Sequence, residues 1–178
     1  IEQHSRKIDT LVLALLGDFI SGNIHEELLE NTGARPIDAI IKAQTMLASG
    51  IKFLLDKSKL KLIIPCHVGN HTRITKKVHI STEAGNSLET AMYHFLKEYF
   101  RNEPRVEFRI AQGYHSFLTL SGYHSKSGKN FTIRFHHGHA VQFGGGIGGL
   151  TIPVRKAISQ WQKGNYADLD CFGHFHQT

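Results

Sequence analysis

Apolar residues along the chain form short continuous runs in some places and helically spaced positions in others. The runs Leu11–Leu16 and Lys61–Cys66 are nearly continuous, which is typical of buried strands in a parallel sheet. Between them, Pro36 can occupy the first turn of a helix that continues to Leu54. The apolar positions that keep helical spacing in it are Ile37, Ile40, Ile41, Leu47, Ile51 and Leu54.

The second half of the chain alternates helix-like and strand-like segments. A helix is predicted from about Ser87 to Arg101, and its inward side is expected to carry Leu88, Met92, Phe95, Leu96 and Tyr99. Strands are predicted at Val106–Ile110, Ser116–Leu120, Asn130–Phe135 and Asp168–Phe172. Turns with Gly and Ser join the first three of these strands, which favours antiparallel neighbours. A last helix is predicted from Thr151 through Trp161. The pattern indicates an α/β fold.

Polar residues that can bind a metal follow four of the predicted strands directly. These segments are Leu16-Gly17-Asp18, Gly69-Asn70-His71, His136-His137-Gly138-His139 and Gly173-His174-Phe175-His176. In open α/β sheets, ligands bind outside the carboxyl ends of strands, so loops that are distant in sequence can converge there. Carboxylate, amide oxygen and imidazole together suit Mn²⁺, Fe or Zn²⁺. The sequence therefore predicts a metal site, with Asp18 placed to bridge two ions.

Composition and net charge indicate which binding partners and which cellular compartment to expect. The 178 residues carry 21 Lys and Arg against 15 Asp and Glu, a net charge of +6, which favours anionic partners. No apolar run approaches the roughly 20 residues of a membrane span, so no membrane association is expected. Cys66 and Cys171 are too few for a disulfide framework, and we expect a cytoplasmic protein. The Lys-rich segments Lys52–Lys61 and Arg73–Lys77 are typical of solvated faces, with a nucleic-acid groove as the alternative.

These motifs resemble those of the calcineurin-like metallophosphoesterase superfamily. That family orders its motifs as D-x-H, G-D, G-N-H-[DE], H (often H-G-H) and G-H-x-H. Gly17-Asp18, Gly69-Asn70-His71, His137-Gly138-His139 and Gly173-His174-Phe175-His176 match the last four in that order. The match extends over nearly the whole chain. The resemblance implies a four-layer α/β/β/α sandwich and a hydrolase that cleaves phosphate monoesters or diesters with a hydroxide bridging two metal ions.

The resemblance also implies roles for individual residues. It assigns two divalent ions, first of all Mn²⁺, with Fe or Zn²⁺ as alternatives. Asp18 resembles the bridging ligand. The remaining ligands of one ion correspond to Asn70, His137 and His174, and a ligand of the other ion corresponds to His176. His71 resembles the histidine that contacts the phosphate and protonates the leaving oxygen.

The chain departs from the family pattern in two places. No D-x-H precedes Gly17-Asp18, so we expect a single catalytic domain over residues 1–178 that is truncated at both ends and lacks its first strand. One of the two metal sites is then incomplete. The second departure is Thr72, which stands where the family has Asp or Glu. Because that carboxylate supports the neighbouring histidine, its replacement puts the protonation of His71 in question.

The substrate is open between nucleic acid, nucleotide, phosphoprotein and small phosphoester, with the basic charge favouring nucleic acid. Arg73 and His25 are candidate substrate contacts. His136 and His139, beside His137, are expected to be structural. The alternative function is a non-catalytic nucleic-acid-binding or scaffold domain on the same fold. The sequence leaves the oligomeric state open.

Overall fold

The computed structural model describes residues 8–22, 33, 35–124, 130–143, 145 and 148–176, which form a mixed α/β fold. The strands are β1 (Thr10–Val12), β2 (Lys61–Cys66), β3 (Val106–Ile110), β4 (Ser116–His124), β5 (Asn130–His136) and β6 (Leu169–Phe172). The helices are α1 (Pro36–Lys57), α2 (Leu88–Tyr99) and α3 (Thr151–Trp161), with a 3-10 helix at Ile80–Asn86. No helix in the described part of the chain combines the length and apolar character needed to cross a bilayer.

The first sheet has the order β1-β2-β3, and its pairings are parallel, as the apolar runs predict. The β1 ladder continues past Val12, since the Leu15 amide donates to the Pro65 carbonyl at 2.8 Å. Alternate residues of this segment face opposite layers. Leu11, Leu13 and Leu15 belong to the core beneath the helices. Val12, Ala14 and Leu16 pack with residues of the second sheet.

Helices α1 and α2 cover the first sheet with fewer of their apolar residues than the sequence predicts. Ile40, Ile51 and Leu55 of α1 are buried, as are Met92, Tyr93 and Leu96 of α2. The inward prediction is wrong for Phe95 and Tyr99 of α2, which are 62% and 63% exposed, and Ile37 and Ile41 of α1 are exposed as well, both at 56%. Each helix touches the sheet along one stripe, and these four positions lie beyond the edge of that stripe.

The second sheet has the order β4-β5-β6. Strands β4 and β5 are antiparallel, as predicted, and β6 runs parallel to β5. The same expectation is wrong for β3 and β4, because β3 pairs in parallel with β2 and so belongs to the first sheet. At the end of α3, Trp161 packs on His136 of β5, with ring centroids 4.9 Å apart. Leu118, Ile133 and Phe135 fill the space between the two sheets.

Candidate metal centre

Three ligand-type side chains from distant parts of the sequence meet at the carboxyl ends of the strands. Asp18 follows the β1 ladder, His137 follows β5, and His174 follows β6. One ligand atom from each lies within 4.8 Å of the others, which is the spacing of a group that can hold a metal ion. The sequence prediction that these loops converge is therefore confirmed for Asp18, His137 and His174.

The carboxylate of Asp18 is at the centre of this group. Its Oδ2 lies 3.0 Å from Nε2 of His137 and 4.0 Å from Nδ1 of His174. Asn70 joins from the β2 side, with its Oδ1 3.2 Å from the same His137 Nε2. Two imidazole nitrogens, a carboxylate oxygen and an amide oxygen therefore face one small volume. This is a mixed donor set of the kind that Mn²⁺, Fe and Zn²⁺ accept.

The backbone fixes the orientation of the His137 ring. Nδ1 of His137 lies 2.5 Å from the carbonyl oxygen of Leu16, so Nδ1 carries a hydrogen and donates it to that oxygen. In the neutral ring, the lone pair is then on Nε2, the nitrogen that faces Asp18 and Asn70. Metal-binding histidines are usually held by such a bond from the other ring nitrogen. The ring is therefore set up to present Nε2 to an ion.

The charges of Asp18, His137 and His174 are coupled to one another. Burial pushes the pKa of Asp18 upward, but hydrogen bonding and positive charge from His137 outweigh it, so the pKa falls below its usual value. Burial lowers the pKa of His137, yet its bond to Asp18 wins and the pKa is raised. Burial and the positive charge of His137 lower the pKa of His174. A proton shared with His137 thus compensates the Asp18 carboxylate.

Close approach of the two ligand-bearing loops requires glycine on both sides. A Cβ at Gly17 would overlap the backbone of Gly69, and a Cβ at Gly69 would overlap Asp18. Asp18 and His174 themselves adopt φ of 56° and 72°, the left-handed region that is costly for residues with a side chain. Strained backbone of this kind is concentrated at functional sites, where the surroundings hold it in place.

Comparisons with known proteins give no match that would identify this site. Neither a family model, nor a curated protein, nor a solved structure matches this chain. The chemistry of the site is therefore inferred from its own side chains.

The His174 ring carries a buried nitrogen without a hydrogen bond. Its Nδ1 is buried, and no hydrogen-bond partner for it lies among the described residues. A buried nitrogen aimed at a carboxylate and without a partner fits a metal ligand.

Glu89, a residue that the sequence did not single out, ties the two loops together. Its side chain is fully buried at the start of α2. Oε1 accepts from the Phe19 amide at 2.8 Å, and Oε2 accepts from the Gly69 amide at 2.7 Å. Oε2 also accepts from the hydroxyl of Thr72 at 3.0 Å. Burial raises the pKa of Glu89, against these hydrogen bonds. One carboxylate thus holds both loops, and the helical spacing around it gives no signal of that role.

His71 lies at the open side of the group. Its backbone amide donates to Oδ1 of Asp18 at 3.0 Å, and its Nε2 is 3.9 Å from Oδ2 of the same residue. Its Nδ1 lies 2.8 Å from the carbonyl oxygen of Ser21, to which it donates. Arg73 is folded back onto the same loop, where Nη1 donates to the Asn70 carbonyl at 2.6 Å. The structure therefore brings His71 to the group and uses part of Arg73 to brace the loop.

One predicted site residue is not among the three that cluster, and another lies outside the described residues. His176 is exposed, adopts a left-handed φ of 51°, and is not among the three residues whose ligand atoms cluster. His25 lies outside the described residues. Their roles as second-metal ligand and substrate contact stay predictions. The side chain of His139, expected to be structural, is 5% exposed, and its Nε2 is 3.0 Å from Oε2 of Glu83.

Proposed function

We propose that this protein is a metal-dependent phosphoesterase of the calcineurin-like metallophosphoesterase superfamily. The observation that carries the proposal is the convergence of Asp18, His137 and His174 on one volume, from motifs that resemble that family's in type and order. Asn70 adds an amide oxygen beside them. Side chains so far apart in sequence have no reason to converge on one volume if each only contacts solvent at the end of its strand.

The layering of the fold supports the same proposal. Helices α1 and α2 pack on one face of the first sheet, and the second sheet packs on the other face. The far side of the second sheet carries Trp161 of α3. We propose that this order corresponds to the four-layer α/β/β/α sandwich, with α3 as its fourth layer. The active centre of such a fold lies at the strand ends, where Asp18 and His137 lie here.

The residues present fit a divalent ion. Asp18, Asn70, His137 and His174 would hold one ion, and we propose that Asp18 and His176 would help to hold a second. Bound ions at such a centre act as Lewis acids on the phosphate ester and lower the pKa of water. We propose Mn²⁺ first, with Fe and Zn²⁺ as alternatives, because oxygen and imidazole ligands are mixed.

The protein's own contribution to bond cleavage is a proton at His71. Because Nδ1 donates to the Ser21 carbonyl, Nε2 is the nitrogen that faces the group. In the imidazolium form its Nε2 proton would pass to the leaving oxygen, which leaves the ring neutral with its hydrogen on Nδ1. Thr72 stands where the family has a carboxylate, and its hydroxyl donates to Glu89 instead. We propose that Glu89 supplies, through Thr72 and the backbone, the support that the missing carboxylate gives in the family.

Metal content and hydrolysis together test the proposal. We expect purified protein soaked in Mn²⁺ to retain the ion by elemental analysis and to hydrolyse bis-p-nitrophenyl phosphate. A chelator should abolish the turnover and Mn²⁺ should restore it. Asp18→Asn should lower both metal content and rate by at least about 100-fold, because it removes the central charge. Asp38→Asn, on the exposed side of α1, is the matched control.

The outcomes separate the candidate functions. Turnover that survives chelation, or an Asp18→Asn rate equal to wild type, would overturn the metal-dependent mechanism. Salt-sensitive binding of DNA that ignores chelation, without bound metal, would instead favour the non-catalytic nucleic-acid-binding domain.

A further inference from the structure

A second pair of ligand-type side chains meets beside the candidate metal centre. His139 comes from the segment after β5, and Glu83 comes from the 3-10 helix Ile80–Asn86. Nε2 of His139 and Oε2 of Glu83 are 3.0 Å apart, and the two side chains are 5% and 12% exposed. Neither residue is one of the three whose ligand atoms cluster at Asp18. The pair is therefore separate from that group.

The contact between His139 and Glu83 is not a hydrogen bond. Both ring nitrogens of His139 and Oε2 of Glu83 are buried, and none of these three atoms has a hydrogen-bond partner among the described residues. Two ligand atoms of one ion, each at a bond length of about 2.0–2.1 Å, lie about 3.0–3.4 Å from each other. The observed separation fits two atoms that share an ion, and a shared ion would explain why these buried atoms have no partner.

The surroundings hold the pair in place and leave room for a small ion. The ring of Tyr114 meets the His139 ring edge-on, with centroids 5.3 Å apart. A cavity of about 10 Å³ lies against the pair, which is the space of about one water-sized sphere. His79 lines the same cavity, is exposed, and directly precedes the 3-10 helix. Rotation of its side chain would add a second imidazole to the pair.

The Glu83 carboxylate at this cavity is available for a cation. Arg73 also lines the cavity, but among the described residues it forms no ion pair with Glu83, and its Nη1 donates to the Asn70 carbonyl at 2.6 Å. Two imidazoles and one carboxylate are a donor set that Zn²⁺ accepts, with water as the fourth ligand. We propose that Glu83, His139 and His79 form a Zn²⁺ site that joins the 3-10 helix to the segment after β5. The site is distinct from the proposed phosphoesterase centre and does not require it.

A background variant that lacks two ligands of the candidate metal centre isolates this site. In the double variant Asp18→Asn, His174→Gln, we expect calorimetry to show one Zn²⁺ bound. Its Tm should rise as Zn²⁺ is added, because an ion that binds only the native state stabilises it. Adding His139→Gln or Glu83→Gln to this background should weaken Zn²⁺ binding at least about tenfold and remove the rise in Tm. Adding Glu107→Gln, on an exposed face of β3, is the control.

His79→Gln tests the site in the otherwise unchanged chain. Because His79 is exposed, its replacement should leave the fold intact. Elemental analysis after Zn²⁺ loading should find one ion fewer per chain than in wild type. His94→Gln, exposed on α2, is the matched control and should keep the wild-type zinc content. This comparison decides the question if the background variant does not fold.

The outcomes for the zinc site and for the phosphoesterase are separate. A folded background variant that binds no Zn²⁺ would overturn the zinc site and leave the phosphoesterase proposal standing. Unchanged Zn²⁺ affinity after both His139→Gln and Glu83→Gln, or an unchanged zinc content in His79→Gln, would also overturn it. Absence of phosphoester hydrolysis by wild type would count against the proposed function alone, because Zn²⁺ binding that depends on Glu83 and His139 would still support the zinc site.

Discussion

His136 and His137 are adjacent in the chain, yet the protein treats them in opposite ways. Burial lowers the pKa of His136 to about 3, while the bond to Asp18 raises the pKa of His137. Both rings are almost completely buried. Both also have a carboxylate nearby, since Asp170 Oδ1 is 3.9 Å from Nε2 of His136. Burial and proximity to an acid therefore do not by themselves decide the charge of a histidine.

The difference lies in how each carboxylate is already occupied. Asp170 accepts two hydrogen bonds from Arg134, at 2.6 Å and 3.1 Å, so its charge is balanced before His136 approaches. Asp18 has no guanidinium beside it among the described residues, and its charge acts on His137. The Asp170 carboxylate is already neutralised by a structural ion pair, while the Asp18 carboxylate can still bind a cation. This contrast separates a structural histidine from a candidate metal ligand more clearly than the sequence does.

Breaking the Arg134–Asp170 ion pair should produce the largest change among these predictions, a loss in the free energy of unfolding. Arg134→Met leaves the buried Asp170 carboxylate without its balancing charge, and the loss of one partner of a buried pair costs about 3–5 kcal/mol. Urea denaturation at neutral pH measures the free energy of unfolding. The control is Arg101→Met, which breaks the exposed pair with Glu98 and should cost at most about 1 kcal/mol. Equal losses in the two variants would contradict the structural role of Arg134.

Separate substitutions of the two neighbouring histidines test whether His137, and not His136, binds the metal. His137→Gln removes a proposed ligand and should weaken Mn²⁺ binding by at least about 100-fold, a loss at the upper end of the range for residues that support a metal site. His136→Phe keeps the aromatic packing on Phe172 and Trp161 and should change Mn²⁺ affinity by less than about threefold. Calorimetric titration with Mn²⁺ measures both. A larger loss in His136→Phe than in His137→Gln would reverse our assignment.

Much of the fold was accessible from the sequence. A nearly continuous apolar run predicted the parallel strand β2 with the bounds that the structure has, because such strands are buried on both faces. The bounds of β3 were also predicted correctly. The exposure of Phe95 was not accessible, since helical spacing gives the apolar face of a helix but not how far the sheet extends beneath it. The placement of β3 was missed for a similar reason. Strand pairing is a tertiary choice, and short turns suggested the wrong neighbour.

Part of the candidate site could also be predicted from the sequence, for a different reason. Asp18, His137 and His174 each follow a strand, so strand order alone brings them to one edge. Glu89 gave no comparable signal, because a glutamate in the first turn of a helix ordinarily faces water and the helix dipole. Its burial depends on the loops that it contacts, and those come from Phe19 and Gly69, far away in sequence.

Glu89→Gln should have a smaller effect than loss of a ligand. The amide keeps the size of the carboxylate but has one acceptor oxygen, so either the Phe19 or the Gly69 amide would face an NH₂ group. We expect Mn²⁺ affinity to fall about tenfold, the lower end for residues that orient ligands. Circular dichroism and denaturation establish that the variant is folded, and Glu107→Gln, on an exposed face, is the control. Unchanged Mn²⁺ affinity in a folded Glu89→Gln protein would contradict the positioning role.

The pH dependence of stability should depend on the neutral, buried ring of His67. Burial lowers the pKa of His67 to about 4, and its Nε2 lies 2.7 Å from Oγ of Ser116. Between about pH 6.5 and 4 the unfolded chain binds a proton that the native ring does not, so stability falls as pH falls, by about 1.4 kcal/mol per pH unit at most. His67→Gln can still bond to Ser116, and it should lose less stability between pH 7 and 5 than wild type. Denaturation midpoints at both pH values measure this, with the exposed His94→Gln as control. A steeper loss in His67→Gln would mean that His67 is charged in the native protein, contrary to the contrast with His137.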